Sequence, residues 1–271
     1  MGFLTEPVPE RGAVVAMLPG ISRLVAANPG PFTYHGTNTY LIDGEDGVSV
    51  LDPGPDDAGH LADILRATGG RVARIILSHT HADHLAGVPA LKAATGAKVW
   101  SFHQSQDAAH TPDMPLHDGD DVAGWTAIHT PGHASDHLCF ARDGVVFTAD
   151  HIMSWSTSVV SPPHGNMRAY FDSMRRMLAR DDRVYLPGHG PMVDDPMPFA
   201  RALLTHRAQR EAAIAGALAA GPTTAMGLVD TLYATVNPKL RPAAQRTVIA
   251  HLEKLREDGR AIAEGEIWRA A

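Results

Sequence analysis

Residues 77–87 read LSHTHADHLAG and extend the apolar run RIIL at 74–77. Three histidines and one aspartate fall within positions 79–84. In extended chain His79 and His81, two apart, point to the same side. Asp83 and His84 fall where a helical pattern begins, so a tight turn brings them back towards the same point. A borderline-soft divalent cation takes imidazole and carboxylate donors at about 2 Å, commonly four of them. One turn cannot supply a full set, so further donors must come from elsewhere in the chain.

Three other segments share this form. WTAIHTPGH (125–133) carries His133 after an apolar run, VVFTAD (145–150) ends at Asp150, and RVYLPGH (183–189) ends at His189. In each, a strand-like run stops at a loop bearing His or Asp, where a rigid sheet positions functional side chains. Gly132 and Gly188 directly precede two of these histidines and permit close backbone approach.

Runs rich in β-branched and aromatic residues predict strands at 38–42, 48–52, 74–78, 97–100, 125–129, 137–142, 145–149 and 183–187. RDG at 142–144 is a hairpin turn signal, with Gly144 able to take a positive φ. Helical periodicity covers 57–70, 83–96 and 167–180, with Leu61, Ile64 and Leu65, then Leu85, Val88 and Leu91, then Tyr170, Met174 and Met177 on the apolar faces. Strands interleaved with helices predict an α/β fold, sheets covered by helices.

After Pro198 the texture changes. The stretches 199–221, 224–236 and 241–259 are helical in pattern, and RAIAEGEIWRA (260–270) reads as two short strands turning at Glu264–Gly265. Three helices and a hairpin outline a winged-helix-like module, so residues 1–198 and 199–271 are expected to form two domains. The tail holds ten basic and seven acidic side chains, or +3, within a chain of net charge −7, which leaves −10 for residues 1–198. An acidic main body disfavours general gripping of duplex nucleic acid. No apolar stretch reaches the roughly 20 residues of a membrane span. The N-terminal MGFLTEPVPERG lacks the basic and then apolar pattern of a signal peptide, so a cytoplasmic location is expected. The single cysteine, Cys139 in HLCFAR, excludes an internal disulfide and reads as a buried apolar residue.

The order His79-x-His81-x-Asp83-His84, then His133, Asp150 and His189, resembles the metallo-β-lactamase fold superfamily. NPGPFTYHGTNTYLI (28–42), LDPG (51–54), TPGHASDH (130–137), LPGHGP (186–191) and THRAQREAAI (205–214) look like its LACTB2-like and hydroxyacylglutathione-hydrolase-like branch, which carries a winged-helix-like module at the C-terminus. The resemblance implies a four-layer αββα sandwich followed by that module. It also implies two divalent metal ions, zinc first, with iron or manganese as alternatives. His79, His81 and His133 would hold one ion, Asp83, His84 and His189 the other, and Asp150 would bridge them. A carboxylate has two oxygens to share, whereas an imidazole offers one outward lone pair. Some true lactamases place cysteine at the position of Asp150. The aspartate here points instead to thioesterase and nuclease relatives.

Such a pair makes hydroxide available near neutral pH, and Asp83 would guide the water proton as a catalytic residue. Asp52 would accept a ring N–H from a ligand histidine, or else cap the turn before Pro53. His137 is a candidate for contact behind the ligands or a buried, hydrogen-bonded histidine. His35 and His164 are candidates for substrate contact or plain loop residues. Met153, Trp155 and Phe171 would line an apolar pocket or lie in the core, and Arg168 would meet an anionic substrate group or solvent. The expected activity is metal-dependent hydrolysis of a carboxylic acid derivative, a thioester or lactone, with a small-molecule substrate. The alternatives are a LACTB2-like endoribonuclease acting on single-stranded RNA and a metal-containing binding module without turnover. The sequence leaves the oligomeric state open.

Overall fold

The computed structural model describes residues 2–271. A first sheet orders seven strands along the chain: β1 (Val15–Leu18), β2 (Ile21–Val25), β3 (Asn38–Gly44), β4 (Gly47–Leu51), β5 (Val72–Ile76), β6 (Lys98–Phe102) and β7 (Met114–Leu116). Pairing is antiparallel from β1 to β4 and parallel from β4 to β7. The second sheet contains β8 (Asp121–Val122), β9 (Trp125–His129), β10 (Leu138–Arg142), β11 (Val145–Ala149), β12 (Val184–Pro187) and β13 (Val193–Asp194), again neighbours in chain order. Here β11 and β12 run parallel and the other pairs antiparallel.

Side-chain alternation makes these sheets into layers. Tyr40, Ile42, Leu51, Ile76 and Phe102 of the first sheet meet Trp125, Leu138, Phe140 and Phe147 of the second in one buried cluster, with the Tyr40 and Phe147 rings 5.0 Å apart. The alternate residues Leu41, Val50 and Ile75 face outward and are covered by Ile64 of α1 (Ala58–Thr68) and by Val88 and Leu91 of α3 (Val88–Thr95). A one-turn helix, α2 (Ala82–Leu85), precedes α3. On the far side, Cys139, Ala141 and Val146 are covered by Tyr170, Met174 and Met177 of α4 (Met167–Leu178). The order helix, sheet, sheet, helix is the expected sandwich, arising from strands apolar on both faces.

The helix expected over 83–96 is broken at Ala86–Gly87. Gly87 donates to the carbonyl of Gly54 at 2.8 Å, and a Cβ there would come 2.9 Å from the carbonyl oxygen of Pro53. That contact docks the loop after β4 against α2. The turn at 142–144 is a tight hairpin with both Asp143 and Gly144 at positive φ. Strands β1, β2, β7, β8 and β13 were not anticipated; three of them are only two or three residues long.

The C-terminal part comprises α5 (Pro196–Ala220), β14 (Thr223–Thr224), α6 (Ala225–Leu232), α7 (Arg241–Glu257) and the hairpin β15 (Ala261–Glu264) and β16 (Ile267–Ala270). These elements bury their own core of Ile214, Leu218, Leu228, Val248, Leu252 and Trp268. The 198/199 boundary falls inside the first turn of α5, because that helix packs Met197 and Leu203 into the sandwich and Ile214 and Leu218 into the module. Among the described residues, no helix is long and apolar enough to cross a membrane.

Candidate metal centre

Asp52 and the 79–84 segment follow the C-terminal ends of the parallel pair β4 and β5. Asp150 and His189 follow those of the parallel pair β11 and β12, and His133 lies in the loop from β9 to β10. Two stacked sheets therefore aim their loops at one place. Extended backbone at His81 (φ −69°, ψ 145°) ends at the first turn of α2, which turns His84 inward.

Hydrogen bonds orient each ring. His84 Nδ1 donates to Asp52 Oδ2 at 2.9 Å. The Nδ1 of His133 meets the Val159 carbonyl at 2.6 Å, and that of His189 meets the Gly36 carbonyl at 3.2 Å. Ser78 Oγ donates to Asp52 Oδ2 at 2.6 Å and lies 3.0 Å from His79 Nδ1. Since a carbonyl or carboxylate only accepts, each of these Nδ1 atoms facing one carries a proton, and the ring turns its Nε2 towards the cluster. The Nε2 atoms of His79 and His133 then lie 3.0 and 2.9 Å from His81 Nδ1.

The second set adjoins the first. Asp83 Oδ2 lies 3.2 Å from His189 Nε2 and 3.5 Å from His84 Nε2. Asp150 Oδ1 is 3.4 Å from His189 Nε2 and 3.6 Å from His84 Nε2, while its Oδ2 is 3.5 Å from His133 Nε2. One carboxylate thus turns an oxygen to each set. Gly188 makes room: a Cβ there would stand 2.6 Å from Asp150 Oδ1 and 2.9 Å from His84 Cε1.

Electrostatics follow from burial and charge. Burial, then the neighbouring imidazoles, hold His79 well below its ordinary pKa and His81 at about 4, so both stay neutral. Burial also pulls His84 and His189 down, but Asp83 and Asp150 beside both, with Asp52 beside His84, reverse this and push them up to about 9 and about 10. Burial pushes Asp83 and Asp150 up, and the same histidines outweigh it and hold both carboxyls below the usual range. The pocket is built to attract positive charge.

These residues fit a pair of metal ions. Three imidazole nitrogens, two of them about 3 Å from His81 Nδ1 and all within 4.8 Å of one another, suit an ion bound at about 2.0–2.1 Å. His84 Nε2, His189 Nε2 and Asp150 Oδ1 are buried with no hydrogen-bond partner, an arrangement that costs free energy unless a cation takes them up. Three groups of potential ligands emerge: His79, His81 and His133; His79, His84 and Asp150; and Asp83, His84 and His189.

A cavity of about 610 Å³ opens over the cluster. His81, Asp83, His133 and Asp150 form part of its lining, with Phe32, Met153, Val159, Pro162, Pro163 and His164 among its walls. His164, a candidate for substrate contact, lines this cavity. His35 does not line this cavity: its Nε2 meets the carbonyl of Glu6 at 3.0 Å, and Phe32 and Thr33 line that side instead. His137 lies behind the cluster, its ring 5.1 Å from that of His79 and its Nδ1 2.9 Å from Thr130 Oγ1. Trp155 stacks on Tyr34, Phe171 is buried in the sandwich core, and Arg168 pairs with Glu257 and Asp258 of the C-terminal part. Sequence reasoning missed Ser78, Gln106, Ala243 and Arg246. The Ser78 hydroxyl was readable as a neighbour of His79, but Gln106 and the α7 residues reach the cavity through folding alone.

The metallo-beta-lactamase superfamily model matches residues 33–115 and 103–189, and the beta-lactamase associated winged helix domain model matches residues 224–268. The Beta-lactamase-like protein 2 homolog of Drosophila melanogaster is 28% identical over 92% of this chain and 91% of its own length. The Atrochrysone carboxyl ACP thioesterase of Passalora fulva is 30% identical over 96% of this chain and 82% of its own. A solved protein, TTHA1623 in a di-iron-bound form, superposes with TM-score 0.55 and 27% identity over 63% of this chain and 94% of its own. With matches that span both the sandwich and the tail, the chain belongs to the metallo-β-lactamase superfamily and carries that superfamily's associated winged helix domain.

Proposed function

We propose that this metallo-β-lactamase-fold hydrolase cleaves thioesters, with lactones as the related ring-closed substrates, through two divalent ions. His79, His81 and His133 would hold one, Asp83, His84 and His189 the other, with Asp150 between them. Zinc suits a nitrogen and oxygen donor set without thiolate, as do iron and manganese; the di-iron-bound form of a relative supports iron as an alternative. When bound, such ions polarise the carbonyl and lower the pKa of water towards neutrality.

The chain's own residues do the rest. Asp52 holds the His84 ring, and the Val159 and Gly36 carbonyls hold His133 and His189. Asp83, ionised and facing the cavity, accepts a hydrogen from the attacking water and aligns its oxygen with the substrate carbonyl. The new bond joins that oxygen to the carbonyl carbon, the carbon–sulfur bond breaks, and the proton ends on the departing thiolate. Phe32, Met153 and Val159 exclude water around the acyl group.

The observation that carries the substrate class is this cavity, hydrolytic donors on its floor and apolar walls above. The relative bearing a thioesterase name supports the reading. Single-stranded RNA is the second reading, favoured by the arginines that adjoin the cavity. A parallel assay of metal-loaded protein against thioester, lactone and RNA substrates tests both. Thioester or lactone turnover that a chelator abolishes and metal restores is the expected result. RNA cleavage with no ester turnover would overturn it. We assign the cytoplasm as the site of action, which fits a chain whose one cysteine is free and buried.

A further inference from the structure

The cavity over the cluster continues past the sandwich. A second cavity of about 250 Å³ adjoins it and shares Phe32, Val159 and Ala243. It lies between the 156–159 loop and helices α5 and α7. Arg207, Arg210 and His206 line it, and no carboxylate does. Arg246 lines the first cavity one turn along α7 from the shared Ala243.

Arg207 is the decisive residue. It is 4% exposed, its Nη2 donates to the Ser158 carbonyl, and its guanidinium lies 5.4 Å from the Tyr170 ring centre. Its Nε is buried with no partner. Among the described residues, no carboxylate pairs with Arg207, Arg210 or Arg246, whereas Arg241 pairs with Asp230 and Arg269 with Glu264. Arg210 has only the Leu232 carbonyl at 2.8 Å and the Tyr233 ring at 4.1 Å. A buried cation without a counter-charge is costly to keep. Burial and the two adjacent arginines hold His206 below its ordinary pKa, so the charge here rests on guanidinium groups. This positive pocket opens in a chain of net charge −7, and its arginines belong to the C-terminal part, whose own balance is only +3.

The geometry points to an anion subsite, formed by Arg207, Arg210 and Arg246, that takes the phosphate of a phosphopantetheine thioester whose carbonyl lies at the histidine cluster. The inference rests on the thioester reading above. The pantetheine arm is linear and thin, suited to a corridor walled by Phe32 and Val159. Guanidinium forks match phosphate oxygens bidentately. The same arm and phosphate occur on coenzyme A and on acyl carrier proteins. A single-stranded polynucleotide needs a repeating track of basic groups and stacking rings. Here Arg207 and Arg210 line the small cavity and Arg246 the adjoining one, a set without the repeat of a track, which suits one phosphate.

Calorimetry on the metal-loaded full chain, with 4′-phosphopantetheine, pantetheine and a single-stranded oligoribonucleotide, tests this. Phosphopantetheine is expected to bind at least about tenfold tighter than pantetheine, the worth of a charge-assisted hydrogen bond. Arg210→Gln and Arg246→Gln should collapse that preference, and Arg210→Lys should restore part of it; circular dichroism verifies that each variant folds. Equal binding of the two ligands by the unaltered chain, or a preference that neither variant moves, overturns the subsite. So does arginine-dependent binding of the oligoribonucleotide without binding of phosphopantetheine. Thioester hydrolysis with no phosphate preference leaves the proposed function standing and removes the subsite. Arginine-dependent phosphopantetheine binding without thioester hydrolysis supports the subsite and removes the thioester reading. A lower KM for an acyl carrier protein than for the matching acyl-coenzyme A assigns the arm to a carrier protein, and the reverse assigns it to the free coenzyme. Either KM should rise in Arg246→Gln.

Discussion

Asp52 Oδ2 accepts the Nδ1 proton of His84 across 2.9 Å, and both side chains are buried. Asp52 Oδ1 also accepts from the Ser78 backbone N–H at 2.8 Å, so the carboxylate is held from two sides. The pair fixes which His84 nitrogen faces Asp83 and Asp150. Asp52→Asn keeps the shape and removes the charge. Partners behind a metal ligand are worth about 10–100-fold in metal affinity or activity. Metal titration and kcat/KM should both fall within that range, and unchanged values would show that His84 does not depend on Asp52.

Asp150 turns one oxygen to His84 and His189 and the other to His133. Asp150→Ala should lose more activity than Asp52→Asn and lower the metal content measured by elemental analysis. A variant that retained both ions and full turnover would contradict the bridging assignment.

Gly188 has no room for a side chain, with Asp150 Oδ1 2.6 Å and His84 Cε1 2.9 Å from an added Cβ. Overpacking of this kind costs about 1–3 kcal/mol. Gly188→Ala should therefore lower Tm by several degrees, and it should reduce metal content more than Gly216→Ala, where the space is open. Equal metal content in the two variants would refute the tight contact.

Glu211 ties α5 to α7 within the C-terminal part: its carboxylate meets Lys254 at 2.8 Å and His251 at 3.3 Å. Burial raises its pKa, and His251 and Lys254 outweigh that and bring it below the usual 4.5. A depressed carboxyl contributes stability that is present above 4.5 and lost as pH falls through the folded value. Burial also depresses His251 below its ordinary 6.5, which again costs stability as pH falls. Urea melts should weaken from about pH 6.5 downwards and again below about pH 4.5. Asp83 and Asp150 share the lower step, so Glu211→Gln should shrink it and leave the rest; a melt as steep in acid as that of the unaltered chain would dismiss the Glu211 contribution.

Cys139 is fully buried on β10, and burial pushes its thiol up to about 12. Thiol reagents at pH 8 should leave it unlabelled until denaturant is added. Rapid labelling of native protein would show that this layer opens.

Much of this protein was readable along the chain. The interval pattern of His79, His81, Asp83 and His84 is local, and period-two alternation in strands such as β9 and β11 is set by backbone geometry. The change of texture after Pro198 was equally visible, although helix α5 runs through it. Other features depended on tertiary structure. Carbonyls at Gly36 and Val159 orient the His189 and His133 rings, and a carbonyl has no residue signature. His35 turned to Glu6, because an N-terminal segment crosses that loop. Short strands such as β8 and β13 gain their identity only from neighbours. The identity of the candidate donors was thus determined by the sequence itself, since chemistry belongs to side chains. Their convergence, the arginines of α5 and α7 beside them, and the cavity they share were decided by packing, which brings together residues separated by more than a hundred positions, as His84 and His189 are.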